Sequence, residues 1–259
     1  MIRRILTIAR NAFREAVRDR VLYNLVAFVL LLTVAAVFLG AASASQDAKI
    51  IVDLGLSALL LFGAFIAIFV GVGLVYKEIE RRTVYAVFAK PVGRGEFLVG
   101  KYLGLCLTLA VNVAVMGAGV SLALIAVKGE LTPLAFRLWP AVALIYAELT
   151  VLTALALLFS TFASPVVSAF ATLALFVIGH FSADLRGLGE LIESPAAARV
   201  LDALHLALPN FANFAFITPA AHGIMPSPAH VGTAAAYAAA YGAVLLAAAA
   251  LVFSRRDFK

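Results

Sequence analysis

The sequence predicts an all-α polytopic membrane protein with six transmembrane helices. Three observations carry that expectation. The 259 residues are 64% hydrophobic and only 13% charged, whereas a soluble domain is nearer half apolar and about a quarter charged. The apolar residues gather into stretches near or above the ~20 needed for a helix to cross a bilayer. The basic residues fall mainly on alternate connections, the pattern that orients membrane proteins.

The whole chain, 1–259, reads as a single transmembrane domain. Residues 1–20 come first. Ile2, Ile5, Leu6, Ala9, Phe13 and Val17 recur at helical spacing, and Arg3, Arg10, Arg14 and Arg18 lie opposite. That pattern describes a basic amphipathic helix suited to the membrane interface. The N-terminus does not read as a cleavable signal peptide, because its apolar run starts after about twenty residues and more spans follow.

The first span covers 21–42. A short polar loop precedes the second, 54–76. Residues 77–96 form a cytoplasmic segment that mixes Lys77, Glu78, Glu80, Arg81 and Arg82 with Ile79, Val84, Tyr85, Val87 and Phe88. One side of a helix there suits the membrane domain and the other a soluble partner. Pro91 ends it, and Glu96 caps the next helix.

The third span lies within 97–127, with its first turns, which hold Lys101, in the cytoplasm. The fourth covers 138–159. Pro165 then opens the fifth, 166–183. Residues 184–230 read as an extracytoplasmic loop with short helices. The sixth span, 231–253, places Tyr237 and Tyr241 on one face, and 254–259 is a cytoplasmic tail.

Six spans put both termini on one side. The segments on that side hold fifteen Lys and Arg against six Asp and Glu; the opposite loops hold five against seven. Positive charge favours the cytoplasm, so both termini are expected there. The net charge of +6 then needs no nucleic acid to explain it.

No Walker loop, His-Glu-x-x-His, Cys-x-x-Cys or Gly-x-Ser-x-Gly motif is present, so the chain reads as a non-catalytic subunit. Cys106 reads as a small buried hydrophobe. His180, His222, His230 and His205 read as scattered surface histidines, with a transient metal or pH-sensitive site as the other possibility. Glu148 sits mid-span. A charged carboxylate there costs roughly 2.5–3.5 kcal/mol on insertion scales, so it faces the bundle interior, a partner subunit or a water-filled path. Two readings stand: a translocation or dimer-interface residue, or a packing group bonded to Tyr146 or Thr150. Thr150, Thr153 and Ser160 suit small polar helix contacts.

"ARNAFREAVRDRVLY" and "YKEIERRTVYAVFAKPVGRGEFLVGKYLG", together with "LPNFANF" (208–214) and the terminal "SRRDF", resemble the permease subunits of ABC-2-type transporters. The resemblance covers nearly the whole chain. It leans to the branch associated with multicopper-enzyme maturation, which includes the permease of the nitrous-oxide-reductase maturation system. Glu78, Arg82, Thr83, Lys90, Pro91, Arg94, Glu96 and Lys101 fall at recurrent positions, and Arg82 stands where the family often has Gly.

That resemblance implies an elbow helix, a cytoplasmic coupling helix, a dimeric membrane domain (a homodimer in the simplest case) and separate ABC ATPase subunits. It also implies a bacterial or archaeal cytoplasmic (inner) membrane. ATP and Mg2+ are expected on those ATPases, and no cofactor or metal on this chain. The ATPase-coupling residues it implies are Glu78, Arg81, Arg82, Thr83, Tyr85, Phe88, Lys90 and Arg94. Pro209, Asn210, Phe211 and Asn213 mark an extracytoplasmic loop suited to a periplasmic partner. The function implied is export or extrusion driven by a partner ATPase. Two rivals stand beside it: a non-transporting component that transmits ATPase motion to a periplasmic maturation protein, and an ATP-independent secondary carrier. Met1, Met116 and Met225 are too scattered to form a copper conduit.

Overall fold

A computed structural model describes residues 2–18, 27–28, 31, 47–80, 93–128, 132–182, 199, 203 and 208–255. The expected first span, most of the segment 77–96 and much of the loop 184–230 therefore lie outside the described residues. All regular structure among the described residues is helical.

Helix α1 is Ile2–Arg18. Helix α2, Asp47–Phe65, passes through a π-helical turn, Ile66–Val70, into α3, Gly71–Glu80. Helix α4 is Arg94–Lys128, α5 the single turn Leu134–Arg137, α6 Trp139–Ser160 and α7 Pro165–His180. A 3-10 turn, Phe211–Phe214, and the short α8, Ile217–Ala221, lead into α9, Pro228–Ser254.

Four helical stretches are long and apolar enough to cross a membrane: Asp47–Leu74, Arg94–Lys128, Leu134–Ser160 and Pro228–Ser254. Pro165–His180 is apolar but shorter, about 24 Å at 1.5 Å per residue. The protein is thus a polytopic all-α membrane protein with at least four spanning-length helices.

Two boundaries differ from the hydropathy reading. The second helix starts at Asp47, before the apolar run at 54; Asp47 stands in its first turn, where the helix dipole favours an acid. Helix α4 runs for 35 residues, about 52 Å. That exceeds a hydrocarbon layer of about 30 Å, so several of its turns stand outside it.

Helix α6 is the centre. It packs against α2, α3, α4, α7 and α9, and its apolar side chains from Val151 to Leu157 are buried almost all round. A helix that is apolar on every face belongs inside a bundle. Around it, Leu61, Phe69, Leu122, Val166, Phe170, Val244 and Leu251 turn apolar surface outward from the described bundle. Without water between them, such helices associate by close packing rather than by the hydrophobic effect.

Buried hydroxyls follow that logic. Thr108, Thr153 and Thr172 donate to the carbonyls of Gly104, Leu149 and Ser168 on their own helices. Thr150 and Ser160 likewise donate to Ala147 and Leu157. These bonds satisfy the hydroxyls within their own helix, and Thr150 is also a side-chain hydrogen-bond partner of Tyr102 on α4.

Candidate functional site

Two polar constellations stand out against the apolar bundle. The first is a junction of three elements around Lys101. Residues Gly100 and Gly104 leave a groove on α4 that α1 fills. A Cβ at Gly104 would lie 2.5 Å from the Ala9 carbonyl oxygen and 2.6 Å from Ala12 Cβ. Small residues on both sides let the backbones approach; Ala9, Ala12 and Ala16 are the buried stripe of α1.

Lys101 stands between those glycines and is only 4% exposed. A buried ammonium needs partners. It has two: Glu15 Oε2 of α1 at 3.0 Å and Glu78 Oε1 of α3 at 2.9 Å. Nearby, the Gly93 amide donates to Glu96 Oε2 at 3.3 Å, the reciprocal half of a capping box. Glu96 also lies 3.9 Å from Arg4 Nη1 of α1.

Arg94 begins α4 and reaches the far end of the chain. Its Nη1 donates to the Phe253 carbonyl at 3.0 Å and to the Ser254 carbonyl at 2.5 Å. Those are C-terminal carbonyls of α9 that have no partner within the helix. A cation there also complements the helix dipole. Phe97 and Phe253 stack beneath this contact, their centroids 6.2 Å apart.

Of the eight expected coupling residues, the structure thus places Glu78 and Arg94, which flank 81–92. Arg81, Arg82, Thr83, Tyr85, Phe88 and Lys90 lie outside the described residues.

The second constellation lies in the bundle. Glu148 of α6 has a side chain only 2% exposed, and its Oε1 lies 3.2 Å from His180 Nε2 at the end of α7. His180 Nδ1 is 2.8 Å from the Phe176 carbonyl. A carbonyl only accepts, so Nδ1 carries a hydrogen and Nε2 faces the carboxylate. The 3.2 Å separation puts the imidazole within ion-pair reach of a carboxyl group that is otherwise buried among apolar side chains.

The surface reading of His180 is therefore corrected: a helix crossing brings it against Glu148. Glu148 does not take Tyr146 or Thr150 as partner. Tyr146 donates to the Cys106 carbonyl, at 3.3 Å, and Thr150 to that of Ala147.

The motif 208–214 covers this pair. Phe211 is fully buried, with its ring centroid 5.6 Å from that of His180 and 5.8 Å from that of Phe176. It fits because Gly179 has no side chain: a Cβ there would lie 2.4 Å from Phe211 Cδ2 and 2.7 Å from the Pro209 carbonyl oxygen. The Asn210 amide donates to Tyr237 Oη of α9 at 2.9 Å, and Tyr237 stacks with Tyr241 at 5.6 Å. Pro209 is buried and Asn213 half-buried. These loop residues thus tie α6, α7 and α9 together.

A groove of about 420 Å3 runs between the π turn and α7, lined by Phe65, Ile68, Phe69, Val72, Val166 and Phe170. Apolar on every wall, it has nothing to orient a polar ligand. Among the described residues, no three His, Cys, Asp or Glu come together as metal ligands do.

Comparison with known proteins agrees with this architecture. A family model described as ABC-2 family transporter protein matches residues 6–258. Over 128 residues, 48% of this chain, the sequence is 30% identical to the probable ABC transporter permease protein NosY of Pseudomonas aeruginosa. That match takes in 46% of the relative, so the chain spans about half the length of the curated relative it matches.

Proposed function

The chain belongs to the ABC-2 family of transporter proteins, whose membrane components are non-catalytic, and we propose that it is the permease through which a separate ATPase drives export or extrusion of a substrate. ATP and Mg2+ belong to that ATPase. The reading has six spans, both termini in the cytoplasm of a cell with a cytoplasmic (inner) membrane, and a second permease copy completing a homodimer.

One observation carries the coupling role. The segment 81–92 is anchored at both flanks: Glu78 pairs with Lys101 before it, and Arg94 binds the end of α9 after it. A loop serving only as a solvated connection needs neither anchor. Arg81, Arg82, Tyr85 and Phe88 are the residues offered to the ATPase, with Thr83 and Lys90 beside them.

A second reading, transmission of ATPase motion to a periplasmic protein with nothing crossing, is favoured by the packed seat of Phe211 on His180, the partner of Glu148. Motion of α6 or α7 would reach the outer face there without any open path.

The test is purification of the tagged chain in mild detergent. A stoichiometric Walker-motif ATPase, lost when Arg81 and Arg82 are changed to Glu, is the expected result. Repeated preparations without an ATPase would refute the coupling role. Uptake of cargo by vesicles separates transport from transmission.

A further inference from the structure

We propose that Lys101 is the positioning residue that delivers displacement of the segment 81–92 to α1 and α4 together. The inference rests on the reading of 81–92 as the ATPase-facing segment.

Three features make Lys101 a joint rather than an ordinary surface cation. First, it is the shared partner of carboxylates from two elements far apart in sequence: Glu15 at 3.0 Å and Glu78 at 2.9 Å. Second, it is buried at the crossing where α1 lies in backbone contact with α4. Packed contacts of that kind leave no slack, so α1 and the first turns of α4 move as one body. Third, Glu78 belongs to the last turn of α3, the turn that leads into 81–92.

The charge balance gives the joint its character. One ammonium lies between two carboxylates, so removing it takes away the charge that draws α1 and α3 together at this point. With Lys101 present, α3 cannot shift without drawing α1 and α4 along or breaking a charge-assisted hydrogen bond. Glu15 and Glu78 keep some exposure, 40% and 20%. Neither carboxylate is sealed in, so α3 can shift there without stranding a fully buried acid. Arg94 at the other flank holds α9. A push on 81–92 is thereby split between α1 with α4 on one side and α9 on the other.

A purely stabilising role predicts lost assembly or lower melting temperature for any variant at 101. A joint predicts lost motion in an intact complex, and rescue when the charges are exchanged. The experiment uses the full chain with its co-purified ATPase in nanodiscs, in a Cys106→Ala background. Spin labels go on exposed Asn11 of α1 and exposed Thr233 of α9, and distances are measured with and without ATP plus vanadate.

The wild-type pairing should give a distance change on trapping. Lys101→Met should keep the ATPase bound but lose most of that change. Lys101→Glu with Glu78→Lys again places one ammonium among two carboxylates and should restore it. Should Lys101→Met not assemble, Glu15→Gln, which frees α1 alone, should reduce the change. A full wild-type change in Lys101→Met, or in Glu15→Gln where that stands in, or an assembled exchange variant without rescue, overturns the joint while the ATPase reading stands. A wild-type chain that captures no ATPase overturns the reading of 81–92, and the joint with it.

Discussion

Replacing His180 with Phe removes the partner of a carboxyl group that is 2% exposed, while keeping an aromatic ring against Phe176 and Phe211. Those ring contacts, at 4.8 and 5.6 Å, are each worth about 0.5–1.5 kcal/mol, so alanine would confound the two effects. Breaking a buried pair costs about 3–5 kcal/mol when the remaining charge is uncompensated. His180 is 31% exposed, and Glu148 can take up a proton, so the expected loss lies near the lower end, about 3 kcal/mol. Changing Glu148 to Gln as well removes the stranded acid. The double variant should then recover about 2 kcal/mol relative to the sum of the single changes. Reversible unfolding in mixed micelles, followed by circular dichroism, measures this cycle. Additivity within about 0.5 kcal/mol would show that Glu148 and His180 do not act as a pair, and the reasoning would fail.

Three further outcomes follow from the packing. Gly104→Ala should destabilise the seat of α1 by about 1–3 kcal/mol, despite the gain of about 1 kcal/mol in helix propensity. The added Cβ meets backbone of α1 at 2.5 Å; a melting temperature at or above wild type would contradict it. Gly179→Ala should unseat Phe211 and raise proteolysis within 208–221 in vesicles open on that side; unchanged cleavage would count against the seat. For topology, single cysteines at Thr7 and Ala229 should react with an impermeant maleimide from opposite sides of the membrane. Labelling of both from one side would refute the six-span orientation.

How much of this was legible in the sequence varies by residue. Glu148 announced itself, because a carboxylate in an apolar run is expensive anywhere. Its partner did not, since a contact between α6 and α7 depends on helix crossing rather than spacing. Lys101 stands out in the sequence as a charge near the start of an apolar run, but its two carboxylates come from helices whose packing no periodicity reveals. The Gly100 and Gly104 spacing is a visible sign of close helix approach on α4, but which helix fills that face, here α1, comes only from the packing. The motif 208–214 looked like an outer surface loop because it carries Pro and Asn. It turns inward because Gly179 opens a space that Phe211 fills. Arg94, one of the expected coupling residues, also binds the end of α9, a pairing across most of the chain that no local spacing reveals.

The most direct test of the central claim is the turnover of the partner ATPase in nanodiscs, alone and with this chain. Coupling predicts that the wild-type chain changes the rate, and that Arg81→Glu with Arg82→Glu abolishes the change. An ATPase rate indifferent to the chain, or a full response in the charge-reversed variant, would contradict the account.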